Sequence, residues 1–94
     1  MVARYAGAQL ETLDEAWREF SGLQGEGLLV TDLPPGSPAE GAGLRKFDLI
    51  KQVNGIGVPS AAAFQRIASL EKTLVFTLYR KSTGATLNIT MVSR

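Results

Sequence analysis

The sequence predicts a small α+β domain built on a strongly bent antiparallel sheet, a partial barrel, with two main helices and one short helical turn. Three observations carry this. Ninety-four residues suffice for one modest hydrophobic core and not for two. Short apolar or alternating runs, which read as strands, are interleaved with helical patterns but lack a regular strand-helix-strand rhythm. Hydrophobic residues make up 45% of the chain and charged residues 20%, so enough apolar surface is present to fold it.

The first element is "ARYAGAQLETL", residues 3–13, where Tyr5 precedes Ala6, Gly7 and Ala8 before an apolar run resumes. Taken alone this is a strand start with a bulge glycine. "TLDEAWREFSGL", residues 12–23, reads as a helix. Thr12 and Glu15 have capping-box spacing, Leu13, Trp17 and Phe20 fall on one face, and Gly22 can end it. "GLLVTDL", residues 27–33, is a buried strand. In "PPGSPAEGAGL", Ser37 caps, Pro38 suits the first helical position and Glu40 completes a second capping box, with Gly41 and Gly43 stopping the turn.

"DLIKQVNG" is a strand ending in an Asn54-Gly55 turn, and residues 56–58 return beside it. Ser60 caps "SAAAFQRIASL", a helix whose Phe64 and Ile67 point to the core. Two alternating strands close the chain, with Leu74, Phe76 and Leu78 on one face of the first and Leu87, Ile89 and Met91 on one face of the second. "KSTGA" turns the chain between them.

Composition narrows the chemistry. The ten basic and nine acidic side chains nearly cancel and form no basic cluster, so nothing points to nucleic acid. They are unevenly placed: residues 1–44 hold two basic and seven acidic side chains, residues 45–94 eight basic and two acidic. Two solvated halves that attract each other on folding are the simplest reading. Without cysteine there is no disulfide and no thiolate site; without histidine there is no imidazole base. Nothing has metal-ligand spacing and no cofactor is implied. No apolar run approaches membrane-spanning length, and no secretion signal opens the chain, so direct membrane insertion is not expected.

Residues 27–55, "GLLVTDLPPGSPAEGAGLRKFDLIKQVNG", carry a family resemblance. A strand, a Gly-Ser-Pro-Ala turn at Gly36 to Ala39, Ala42 to Leu44, Asp48 to Ile50 and Asn54-Gly55 together resemble a PDZ domain of the kind attached to bacterial HtrA/Do-type serine proteases. The resemblance extends over nearly the whole chain. It implies a single PDZ domain over residues 1–94, excised from a larger protein of the bacterial periplasm or envelope, with any catalytic domain outside it. Read as residues alone, the same positions are structural: Gly36 for a turn, Ser37 and Pro38 for a helix start, Gly43 for a left-handed cap, Asp48 for nearby backbone amides.

The resemblance also implies a site. Tyr5-Ala6-Gly7-Ala8 stands where the family has its carboxylate-binding loop, in which several backbone N–H groups converge on two oxygens. Gln9 and Leu10 then continue as an open strand edge to which a partner's C-terminal or extended apolar peptide adds antiparallel. Ala61, Gln65 and Ala68, spaced four and three apart, are assigned to the opposite wall, on a face distinct from that of Phe64 and Ile67. Arg4 can assist the carboxylate through water. Ala6 and Ala8 replace larger apolar residues of the family, which implies a roomy terminal pocket, preference for a bulky apolar C-terminus and micromolar-class affinity.

Phe47 stands where the family has glycine, so backbone strain is expected there, and its ring is a candidate contact with another domain. Other functions find less support in the residues. Lys81 and Ser82 are adjacent, but neighbours on a hairpin turn make a poor catalytic dyad, so the chain is not expected to be an enzyme. The stronger alternative is a structural or regulatory interface in a secretion or other envelope assembly, its groove filled by its own chain or by a neighbouring domain.

Overall fold

The computed structural model describes residues 2–92. In chain order they form β1 (Val2–Tyr5), β2 (Ala8–Thr12), α1 (Glu15–Ser21), β3 (Leu28–Asp32), α2 (Pro38–Ala42), β4 (Leu49–Val53), β5 (Ile56–Gly57), α3 (Ala61–Leu70), β6 (Thr73–Arg80) and β7 (Ala85–Val92). One antiparallel sheet runs β1-β2-β3-β4-β6-β7, with β5 hydrogen-bonded to β4 beside this path. Its register slips between Gln9 and Leu10 and again between Ile50 and Gln52, the local irregularities that let a small sheet bend.

The bend encloses one main core. Leu10, Leu28, Val30, Ile50, Leu74, Phe76 and Leu78 point into it from the sheet and Phe64 from α3, each at most 1% exposed. β6 supplies Leu74, Phe76 and Leu78 at period two, as its alternation predicts. Ile89 and Met91 of β7 join them, whereas Leu87, two residues from the turn end of the hairpin, is only half-buried. A satellite cluster of Leu13, Leu23, Leu29 and Leu49 occupies the other face of the sheet.

The helix ends follow the sequence with three corrections. α1 is capped by Asp14, whose Oδ1 accepts the Trp17 N–H at 2.9 Å, not by Thr12. β2 runs through Thr12, so that residue is extended and its hydroxyl is spent elsewhere. Phe20 is 71% exposed and no residue of α1 is buried, so the expected apolar face of Leu13, Trp17 and Phe20 does not form as a core face. Leu13 reaches the core from before the helix, while α1 itself lies on the surface and packs Trp17 edge-on against Phe20 and at a tilt against Phe47.

In α2, Ser37 Oγ accepts the Glu40 N–H, but the Glu40 carboxylate returns to Gly36 N–H at 2.9 Å, one residue earlier than a capping box requires. Gly41 lies inside this helix, and Gly43 alone ends it, with a φ of 112°. The Asn54-Gly55 turn has both residues at positive φ, as a two-residue hairpin demands. Across the two oppositely charged halves of the chain, no ion pair forms among the described residues; the pair present, Arg80 with Asp48, lies within the second half.

Candidate functional site

The small residues after Tyr5 are explained by what lies around them. Tyr5 pairs with Ala8, so Ala6 and Gly7 are the two central residues of a tight hairpin turn, with φ of 51° and 88°. The turn is wedged against the start of α2. Ala6 carbonyl accepts the Ala39 N–H at 3.0 Å, and a Cβ built on Gly7 would stand 2.8 Å from Ser37 Cβ. Bare backbone is therefore required twice at Gly7, once for its conformation and once for its neighbour.

The hairpin changes the expected status of β2. Residues 8–10 are not an open edge: β3 pairs with β2 on one side and β1 on the other, in the register Ala3 to Leu10, Arg4 to Gln9 and Tyr5 to Ala8. The reason is local. A two-residue turn with positive φ twists the chain back on itself, and the alternation of Ala3 and Tyr5 matches the inward positions Leu10 and Ala8. α3 packs against both β1 and β2, so β1 lies in the groove that β2 and α3 would otherwise leave between them.

Tyr5 fills the inner end of that groove. Its ring meets Phe64 of α3 edge-on at 5.7 Å and Phe76 of β6 edge-on at 5.9 Å, while its hydroxyl is buried without a hydrogen-bond partner among the described residues. Ala3, at 1% exposure, fills the next inward position. Arg4 and Val2 alternate outward.

The helical wall differs from its expected form. Ala61 is fully buried and shares the core side with Phe64, and Ala68 is half-buried against the same cluster. Gln65 is exposed. The spacing explains this: positions 61, 64, 65 and 68 form one i, i+3, i+4, i+7 stripe, so Ala61 and Ala68 cannot face away from Phe64. Gln65 lies at the flank of the stripe. The start of α3 is fastened to the end of β2 by the Ala61 N–H, which donates to Thr12 Oγ1 at 3.0 Å, a contact between residues 49 positions apart with no sequence signal beyond the hydroxyl itself.

On the outer face of β2 a polar network replaces apolar packing. Gln9 Nε2 donates to Glu11 Oε2 at 3.1 Å and to Thr31 Oγ1 at 3.2 Å, and Trp17 Nε1 donates to Glu11 Oε1 at 3.3 Å. Thr31 is the extra residue of the bulge between β2 and β3, which sets its hydroxyl toward this network. The Thr31 hydroxyl, with the Trp17 and Gln9 donors, holds the Glu11 carboxyl below its ordinary value against the opposing effect of desolvation.

Elsewhere the chemistry is structural. Lys81 donates its ammonium to the Ser21 carbonyl at the end of α1, and no bond to Ser82 is formed. A cleft of about 330 Å³ lies beside this contact, lined by Leu23, Leu49, Lys51, Tyr79 and Lys81, and none of the residues expected to bind peptide lines it. Phe47 has the left-handed φ of 69° that its replacement of glycine implies. Its half-buried ring packs on Trp17 and Phe20, with Lys46 Nζ 5.3 Å from the ring centre.

No protein-family profile matches the chain. It is 43% identical over 58 residues to a putative serine protease HhoA of Synechocystis. It is 52% identical over 44 residues to a probable periplasmic serine endoprotease, DegP-like, of Chlamydia trachomatis. These matches cover 58% and 47% of the chain but only 15% and 9% of the two relatives. Among solved structures, the HtrA3 PDZ domain bound to a phage-derived ligand superposes with a TM-score of 0.82 at 21% identity, covering 98% of this chain and 86% of that one. The HtrA-type protease AlgW with a decapeptide superposes with a TM-score of 0.75 at 19% identity, covering 97% of this chain and 29% of that one. The fold is PDZ-like, and over about half of its length the chain is related in sequence to HtrA/Do-type serine proteases.

Proposed function

We propose that this chain is a peptide-binding module that captures C-terminal or extended apolar segments by strand addition along β2, beside α3. In this reading the backbone of residues 6–8 receives the terminal carboxylate, Ala8 to Leu10 pair with the peptide, and Tyr5, Ala61, Gln65 and Ala68 shape its selectivity. The observation that carries the proposal is β1 itself: a short strand lies antiparallel on β2 and against α3, so the slot accepts a strand of this length and direction. The PDZ-like fold adds support, since the superposable HtrA3 PDZ domain is described as bound to a phage-derived ligand and the HtrA-type protease AlgW is described with a decapeptide.

The parent protein is proposed to be an HtrA/Do-type serine protease of the periplasm or envelope, in which the module recruits or senses substrates for a separate catalytic domain. The periplasmic naming of one relative supports that placement. A second reading rests on the same strand. With β1 paired along β2, the groove is already filled by the chain, as it would be in a structural interface without peptide selectivity.

An NMR titration of the labelled domain separates the two. A degenerate peptide pool with free carboxylates is expected to shift the amides of residues 5–10 and 61–68, and the C-terminally amidated pool is not. Equal shifts with both pools would remove the carboxylate role. Absence of shifts would leave the structural interface.

A further inference from the structure

We propose that Val2–Tyr5 is an exchangeable occupant of the groove: a foreign peptide enters by displacing β1 from β2, and its side chains take the places that those of β1 now hold. The inference rests on the strand-addition reading and adds to it the competitor and the pattern of the ligand.

Direction comes first. β1 is antiparallel to β2 and ends at Tyr5, beside the turn at Ala6 and Gly7. A peptide laid in the same slot puts its last residue where Tyr5 is and its carboxylate next to residues 6–8. Tyr5 continues through a peptide bond into Ala6 and offers no carboxylate there. A free carboxylate is thus the contact that lets a ligand outcompete a strand tethered at high effective concentration.

The side chains then set the ligand. Inward positions of β1 hold Ala3, at 1% exposure, and the Tyr5 ring between Phe64 and Phe76. The fitting peptide ends in an aromatic ring with a small residue two positions before it. β1 is also an imperfect occupant. The Tyr5 hydroxyl is buried without a partner among the described residues, a defect that a terminal phenylalanine would not carry. As the last strand of the sheet, paired on one side, β1 can leave without breaking any other strand pairing.

The test locks the strand. Arg4 and Gln9 are cross-strand partners at the second pair from a two-residue turn, a pair of the non-hydrogen-bonded kind with Cα atoms roughly 4.5 Å apart, within disulfide reach. The chain has no cysteine of its own, so the Arg4→Cys, Gln9→Cys variant carries a single defined crosslink. The probe is a fluorescein-labelled glycine-serine decapeptide ending in alanine, glutamine and phenylalanine with a free carboxylate, read by anisotropy. Oxidation is expected to weaken binding at least tenfold, and reduction of the same sample to restore it.

Equal affinity in both states would overturn displacement while leaving peptide capture intact. No binding to the unmodified chain would overturn the capture reading and this inference with it; binding lost in the reduced variant alone would show that the substituted side chains belong to the slot, and the decision then falls to the second variant. A second variant, Tyr5→Phe, needs no crosslink. Relieved of its orphan hydroxyl, β1 holds the slot more firmly, so the same peptide is expected to bind about tenfold more weakly. Unchanged or tighter binding to that variant would also overturn displacement.

Discussion

Arg80 and Asp48 close a two-point ion pair, Nε to Oδ1 at 2.9 Å and Nη2 to Oδ2 at 2.7 Å, around a carboxylate that is 1% exposed. Asp48 Oδ2 also accepts the Arg45 N–H at 2.8 Å, and Arg80 Nη2 donates to the Gly43 carbonyl at 2.9 Å. One side chain from the end of β6 thereby ties the C-terminus of α2 to the entry of β4. Hydrogen bonding to Asp48 raises the Arg80 pKa further above its ordinary value, so the cation persists at every accessible pH.

Removing one partner should therefore be costly. Arg80→Ala leaves Asp48 buried without its counter-charge and is expected to lose about 3–5 kcal/mol in urea denaturation. Arg80→Lys should recover little, since an ammonium cannot make the two-point contact. The double variant Arg80→Ala, Asp48→Asn is expected to be more stable than Arg80→Ala alone. The reverse order would mean that Asp48 is not held as a buried charge.

Gly7→Ala tests the wedge between the hairpin turn and α2. The added Cβ meets Ser37 Cβ at 2.8 Å and the backbone keeps a φ of 88°. Together these are expected to cost about 1–3 kcal/mol. Gly84→Ala is the control: its φ is 69°, but no described residue lies within 4 Å of the added Cβ. A loss at Gly7 no greater than at Gly84 would show that the contact with Ser37 relaxes freely.

At Phe47 two effects oppose each other. The left-handed backbone disfavours any side chain by about 1–2 kcal/mol, while the ring gains its contacts with Trp17 and Phe20. Phe47→Ala loses the ring and keeps the strain; Phe47→Gly loses the ring and the strain. The glycine variant is expected to be the more stable of the two by about 1 kcal/mol. Trp17 emission should shift to the red in both, because its ring loses a neighbour.

Glu11 gives a pH signature. Its carboxyl is held below the ordinary 4.5 in the folded state, so folding favours the carboxylate. The stability that this adds is fully present above the unfolded value and is lost as pH falls through the lower folded value. Glu11→Gln is expected to remove that component and flatten thermal stability between neutral pH and the acid side of 4.5. An unchanged acid slope in the variant would place the acid sensitivity elsewhere.

Much of the scaffold is legible because it depends on neighbours in sequence. Ser37 and Ser60 cap helices through N–H groups three residues away, Gly22 and Gly43 end them, and Asn54-Gly55 turns a hairpin. The alternation of Leu74, Phe76 and Leu78 names the inner face of β6 without any partner being known. The left-handed backbone at Phe47 follows from a side chain standing in a glycine's place. The α1 cap was harder to read, since Thr12 and Asp14 both offer oxygens near the helix start and the pairing of β2 decides between them.

What only the tertiary structure decided is who faces whom. The sequence by itself determined a small α+β scaffold through local properties of turns, caps and alternation, and its motifs resemble a PDZ domain; the contact with Ser37 that bars a side chain at Gly7 was not among those properties. The sequence held no local term that would bring Arg80 to Asp48, 32 positions away, or Thr12 to Ala61. Nor did it say that the free side of β2 is taken by Val2–Tyr5. A strand edge accepts any strand of matching alternation, so its occupant is settled by competition among segments in space.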